Sequence, residues 1–101
     1  PLNSVPPTTT VAALEDKLEA ARGQLAVDVG FWGGVVPGNE RDLKALVKRG
    51  VLGFKCFLID SGVPEFGFVQ RQHLERALPI AAAANATTPK LTTARASIRC
   101  R

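Results

Sequence analysis

The chain has 101 residues, which is enough for one small core and well short of the roughly 200 to 400 residues of most (β/α)8 barrels. Its net charge of +4 comes from the C-terminal tail, because residues 1–82 carry nine basic and nine acidic groups. No aromatic residue is interleaved with the tail's basic residues, so we expect no nucleic-acid binding. The chain begins at Pro1 and lacks methionine, which favours a fragment over a whole gene product.

Cysteine usage and hydropathy narrow the class further. The two cysteines form neither a disulfide framework nor a zinc-finger spacing, so a reduced compartment is expected. No apolar run approaches the roughly 18 residues of a membrane span, which predicts a soluble protein with no membrane partner.

The first elements along the chain are a helix and a strand. Thr10 can cap a helix that ends before Gly23. Its apolar residues fall at helical spacing: Val11, Leu14, Leu18 and Ala21. Residues 25–31 are mostly apolar and β-branched, which predicts a strand covered on both faces.

A second helix and strand follow a glycine-rich loop. Asn39 is a good helix cap, and the predicted helix ends before Gly50. Its apolar stripe consists of Leu43, Leu46 and Val47. Residues 51–59 form a second apolar strand, and a weaker helix is predicted over residues 70–78.

The alternation of helices and strands predicts an α/β fold with parallel βα units, in which functional residues lie at the C-terminal ends of strands. After Pro79 no strand is predicted, and the fold is expected to stop near Ala84. We therefore divide the chain into a domain over residues 1–84 and a basic, disordered tail over residues 85–101.

Lys55 is a lone cation inside an otherwise apolar strand, where an ammonium is costly unless it is paired or neutralised. It could form an ion pair with Asp28 on the neighbouring strand, or extend its amine to solvent at the strand end. Alternatively, burial could lower its pKa until the neutral amine captures carbon dioxide as a carbamate. A carbamate can bridge two metal ions about 3.5 to 4 Å apart, as in two-metal hydrolytic sites.

Three stretches together resemble the allantoinase branch of the cyclic amidohydrolases, which also contains dihydropyrimidinases, hydantoinases and dihydroorotases. They are PLNSVPPTTT at residues 1–10, VDVGFWGGVVPGN at residues 27–39, and GVLGFKCFLI with SGV at residues 50–63. The resemblance covers about residues 1–79 and implies a partial amidohydrolase domain. That domain would be an incomplete (β/α)8 TIM-barrel fragment with about two βα units and an irregular C-terminal tail.

The resemblance also implies a chemistry and site residues. The parent enzyme would open the cyclic amide ring of allantoin to give allantoate in purine catabolism, using two divalent metal ions, zinc being the expected metal. Lys55, carboxylated by carbon dioxide to N6-carboxylysine, would be the metal bridge. Asn3 would lie near the substrate, although a turn asparagine bonding its own backbone is an equal alternative.

The other notable residues receive smaller roles. Ser61 lies just past the Lys55 strand, where substrate contacts can occur. Trp32 resembles the family's post-strand loop at the active-site face. His73 is predicted to be a surface residue of the third helix rather than a metal ligand. Cys56 should point to the opposite face from Lys55 as a packed thiol.

Several residues of the family's metal site are missing from this sequence, which leaves other functions open. The family also needs a His-x-His, two further histidines and an aspartate that serves as base, and none of these is in the chain. One alternative is therefore a non-catalytic truncated product. Another is a fragment of a dihydropyrimidinase or hydantoinase. The family further implies a homotetrameric parent, in the cytoplasm or, in a eukaryote, the peroxisome.

Overall fold

The structure, a computed structural model, describes the backbone of residues 4–87 and 98–100 and the side chains of residues 4–84. Its helices are α1 (Val11–Ala21), α2 (Glu40–Lys48) and α3 (Arg71–Thr87). Its strands are β1 (Gly33–Gly34), β2 (Phe54–Cys56) and β3 (Ile98–Cys100). The three strands form a parallel sheet in the order β1-β2-β3. The prediction of a mixed helix and strand fold with parallel pairing is confirmed.

Helix α1 begins and ends as the sequence predicts. The Thr10 side chain accepts a hydrogen bond from the Ala13 amide at 3.2 Å, which satisfies one of the unpaired donors of the first turn. The chain then leaves the helix through Arg22, and Gly23 adopts a φ of 70°, a left-handed conformation that favours glycine.

The strand predicted over residues 25–31 is wrong in its position. The first hydrogen bond to the neighbouring strand runs from the Leu52 amide to the Phe31 carbonyl at 2.8 Å, and β1 lies two residues beyond. Residues 25–30 lie before this first hydrogen bond and are not part of the sheet. Leu25, Val27 and Val29 are accordingly 50%, 73% and 45% exposed. Apolar composition indicated a strand, but a strand also requires a neighbour to pair with.

Helix α2 supplies the centre of the core. Its predicted stripe is confirmed, because Leu43 and Leu46 are 0% exposed and Val47 is 3% exposed. The helix packs against α1 and α3. Asn39 precedes the helix as predicted, but its side chain makes no capping hydrogen bond.

Helix α3 runs past the residue that was expected to end it. Pro79 lies inside the helix, which continues to Thr87. Ala77, Ala81 and Ala84 are 0%, 6% and 4% exposed, so one face of small side chains stays packed on both sides of the proline. Alanine also has the strongest intrinsic helix preference, which favours continuation. No helix in the described part of the chain is long and apolar enough to cross a membrane.

The C-terminal part differs from the sequence expectation in one more respect. Strand β3 lies in the tail for which no strand was predicted, and it pairs in parallel with β2 through Lys55 and Arg99. Hydrophobic periodicity and composition do not reveal a strand of three residues, because it forms only by pairing with a strand that is distant in sequence. Residues 88–97 and 101 lie outside the described residues, and the division into residues 1–84 and 85–101 stays a prediction.

Candidate functional site

The two faces of β2 have different environments. Phe54 and Cys56 are 0% exposed and belong to the core cluster, whereas Lys55 between them is half-buried on the other face. Because side chains alternate along a strand, the predicted opposition of Lys55 and Cys56 is confirmed. Cys56 is disulfide-bonded, so the expectation of a free packed thiol is wrong.

The Phe57 ring lies against the amine of Lys55. Its Nζ atom is buried and lies 4.1 Å from the centroid of the Phe57 ring, within the range of a cation–π contact. Phe57 in turn packs edge to face against Phe66, with ring centroids 5.1 Å apart and an interplanar angle of 87°. Phe57, two residues after Lys55, thus shields the amine from water.

The residue opposite Lys55 in the sheet, Gly34, is a position where neighbouring side chains leave no room for a Cβ atom. Gly34 pairs with Lys55, and the Lys55 carbonyl accepts from the Val35 amide at 2.8 Å. A Cβ atom on Gly34 would lie 2.8 and 2.9 Å from two Phe66 ring atoms and 3.0 Å from Thr9 Cγ2. The missing side chain at Gly34 therefore lets Phe66 and Thr9 approach the sheet next to the lysine.

Asn39 joins two stretches of backbone at this strand end through three hydrogen bonds. Its Nδ2 atom donates to the carbonyls of Thr9 and Gly34, each at 2.9 Å, and its Oδ1 atom accepts from the Val36 amide at 3.1 Å. The residue is only 7% exposed. Because a buried amide is costly unless it is bonded, these three partners explain how it can lie here.

The segment before α1 is held along the outer edge of β1. The Gly34 amide donates to the Thr8 carbonyl at 2.7 Å, and Thr8 is 4% exposed. The Thr8 hydroxyl accepts a hydrogen bond from Lys17 Nζ on α1. Burial lowers the pKa of Lys17, because desolvation disfavours its charged form.

The structure places the other predicted residues as follows. Asp28 is exposed and makes no ion pair with Lys55, so that predicted pair is not formed. The Ser61 hydroxyl donates to the Phe66 carbonyl at 2.7 Å and accepts from the Val63 amide at 3.1 Å. Ser61 therefore holds its own loop, and its predicted substrate contact stays a prediction. Asn3 lies outside the described residues.

His73 has a structural role at the start of α3. Its Nδ1 atom accepts a hydrogen bond from the Gln70 amide at 2.9 Å, and the ring is partly buried. This is the geometry of a capping box, in which the third helical residue bonds back to the residue that precedes the helix. His73 thus lies on the third helix as predicted, and the capping role is one that the sequence analysis did not include.

The described residues do not form a metal centre by themselves. No group of three or more His, Cys, Asp and Glu side chains in the described part of the chain is close enough together to hold a metal ion. Lys55 is one candidate ligand, and it becomes an oxygen ligand only after carboxylation. The residues present therefore do not fit a complete two-metal site.

Comparison with known proteins finds similar sequences and a similar solved structure. No family profile matches the chain. It is 57% identical over 82 residues to the allantoinase of Saccharomyces cerevisiae, covering 81% of this chain and 18% of that protein. It is 55% identical over 78 residues to the mitochondrial allantoinase of Aquarana catesbeiana, covering 77% of this chain and 16% of that protein. The chain thus spans under a fifth of the length of these relatives.

A solved structure agrees with the sequence comparison. The L-hydantoinase (dihydropyrimidinase) from Arthrobacter aurescens superposes with a TM-score of 0.78 at 30% sequence identity. The match covers 96% of this chain and 19% of that one. The similarity in fold and sequence makes this chain a segment of the cyclic amidohydrolase class.

The sequence relatives narrow that class. Six allantoinases and probable allantoinases, from a yeast, a bacterium, two plants, an amphibian and a slime mould, are 42% to 57% identical over 77% to 81% of the chain. The chain is an allantoinase-like segment.

Proposed function

We propose that this segment serves a hydrolase that opens the cyclic amide ring of allantoin to give allantoate, and that Lys55 is the carboxylated lysine of its metal centre. The observation that carries the proposal is the buried Lys55 amine on the face of β2 opposite the core. The glycine opposite this lysine, Gly34, lets Phe66 and Thr9 pack against the same part of the sheet, so the surroundings of the amine are built from close contacts. The allantoinase relatives supply the substrate class.

The chemistry at Lys55 is a balanced addition. The lone pair of the neutral Nζ atom attacks the carbon of carbon dioxide, and an N–C bond forms as one C=O π pair moves onto oxygen. One N–H bond then breaks and its proton is released, so that amine and carbon dioxide give a carbamate anion and a proton. Burial beneath Phe57 favours the neutral amine by removing water, while the ring face favours the ammonium. These two effects on the protonation of the amine oppose each other.

The rest of the centre belongs to the proposal alone. The metals would be two divalent ions, zinc being the expected one, and their other ligands would come from outside the described residues. No catalytic step through the metals is assigned to this chain. We also propose that its parallel strands and helices are about two βα units of a (β/α)8 barrel, and that the parent is a homotetramer.

A chimera tests this function. The matched 82-residue segment of the S. cerevisiae allantoinase is replaced by that of this chain, and allantoin hydrolysis and bound metal are measured. We expect the chimera to hydrolyse allantoin and to lose both activity and metal with Lys55→Ala. The matched control is Lys44→Ala, which removes an exposed lysine of α2 and should leave both unchanged. A chimera that binds metal but hydrolyses no allantoin would contradict the proposal, as would an active Lys55→Ala variant.

A hydantoinase or dihydropyrimidinase function is the second candidate, favoured by the structural match to the Arthrobacter aurescens enzyme. The chimera is therefore assayed on hydantoin and dihydrouracil as well. Faster turnover of either ring than of allantoin would replace the allantoin proposal by this one. The purified 101-residue chain is assayed in parallel, and no activity there combined with an active chimera would support the non-catalytic truncated product.

A further inference from the structure

The hydrogen bonds of Asn39 are unusual for a residue that precedes a helix. A residue at this position normally uses its side-chain oxygen to accept from an amide in the first helical turn. Asn39 does not, because its oxygen accepts from Val36, before the helix. The helix start is thus left without that cap, and the carboxamide is used elsewhere.

The partners of Asn39 surround the strand end at Lys55. Gly34, whose carbonyl accepts from Asn39, lies opposite Lys55 in the sheet. Val36, which donates to Asn39, follows the residue whose amide binds the Lys55 carbonyl. Asn39 therefore bonds to Gly34 and Val36, the two residues that flank the Val35 amide, which donates to Lys55.

The third partner brings in the segment that precedes α1. Thr9 lies 30 residues before Asn39 in sequence, and its methyl group would be 3.0 Å from a Cβ atom on Gly34. Two segments distant from the lysine in sequence, one at Thr9 and one at residues 34–36, are thus joined by a single carboxamide that makes three hydrogen bonds and uses both of its donor hydrogens. A side chain without two donors and an acceptor cannot keep all three bonds.

We propose that Asn39 is a positioning residue for the Lys55 site, an inference that rests on the proposed function. It holds the end of β1 and the Thr9 segment in place, so that the face above Lys55 keeps its shape. Loss of this tie should displace these neighbours without removing any group that reacts. A displacement of about 1 Å can cost about 10²-fold in rate.

The experiment uses the chimera with Asn39→Asp, which keeps the size and the acceptor but removes both donors, and with Asn39→Ala, which adds no charge. The matched control is His73→Ala, which also removes a side-chain bond to the backbone, at the exposed start of α3. Melting temperature, kcat and KM for allantoin are measured for each. We expect both Asn39 variants to lose about 10²-fold in kcat with little change in KM. The control should lose stability while keeping the parent's kcat.

The outcomes separate the two proposals. An inactive unsubstituted chimera would overturn the proposed function. An active chimera whose Asn39 variants keep the kcat of His73→Ala would overturn only the positioning role. Failure of both Asn39 variants to fold would also overturn it, because Asn39 would then be a purely structural residue.

Discussion

The two faces of β2 differ in what holds them together. The core face, formed by Phe54 and Cys56, is fully buried against the apolar side chains of α2. The lysine face, formed by Lys55 and Phe57, is closed by the Phe66 ring and by backbone ties through Asn39. One strand thus combines a face that stabilises the fold with a face that carries the candidate chemistry.

The difference shows that close packing at a glycine and directional hydrogen bonds, more than buried apolar area, hold the lysine face in place. Gly34 contributes space, and Asn39 contributes directional hydrogen bonds. Such groups add modest net stability compared with a fully buried phenylalanine. Substitutions on the core face should therefore cost more free energy of unfolding than those on the lysine face.

The largest expected effect is on the core face. Phe54→Ala should lower the free energy of unfolding by about 3 to 5 kcal/mol, because it leaves a cavity beside α2. Urea denaturation of the 101-residue chain measures this. Leu58→Ala, at a side chain 50% exposed, is the control and should cost far less. Equal losses for the two variants would break the distinction between the faces.

The next effect sharpens the lysine face. Gly34→Ala should cost about 1 to 3 kcal/mol, because its methyl group would collide with the Phe66 ring. Gly67→Ala is the control, since an added Cβ there meets only Pro37 at 3.6 Å, an ordinary contact. Thermal unfolding of both variants gives the comparison. Equal stability of the two alanine variants would show that Phe66 does not pack as described.

A smaller effect lies outside both faces, at the start of α3. His73→Ala should cost about 1 kcal/mol through loss of the acceptor for the Gln70 amide. His73→Glu restores an acceptor of the kind that capping boxes use and should recover most of this loss. Urea denaturation distinguishes them, and a glutamate variant as unstable as the alanine variant would refute the capping role.

The smallest effect is a pH dependence beside the lysine face. The pKa of Lys17 is lowered in the folded state by burial, so the unfolded chain binds more protons between the lowered and the ordinary lysine pKa. The penalty is therefore complete below the lowered pKa and is relieved as pH rises through this window. Relative to Lys17→Met, the parent chain should gain stability there. Parallel stability curves for the two proteins would contradict the assignment.

The sequence predicted those features that depend on local pattern. The helix start at Thr10, the buried stripe of α2 and the opposite faces of Lys55 and Cys56 all follow from period and capping chemistry. The order of helices and strands also predicted parallel pairing.

The sequence could not predict features set by distant partners. The position of β1 depends on where its neighbour begins, and α3 continues through Pro79 because its alanine face is packed. Asn39 has the composition of a helix cap, and only the approach of Thr9 and Gly34 reveals its other use. The Gly-Gly pair before it was the one available signal, since paired glycines indicate close approach of other groups.

The central claim is that Lys55 exists as a carboxylated lysine in a working enzyme. Incubation of the active chimera with ¹³C-labelled bicarbonate, followed by ¹³C NMR, measures the carbamate directly. We predict one carbamate signal that persists in Lys44→Ala and disappears in Lys55→Ala together with allantoin hydrolysis. An active chimera with no such signal, or one whose signal survives Lys55→Ala, would contradict the account.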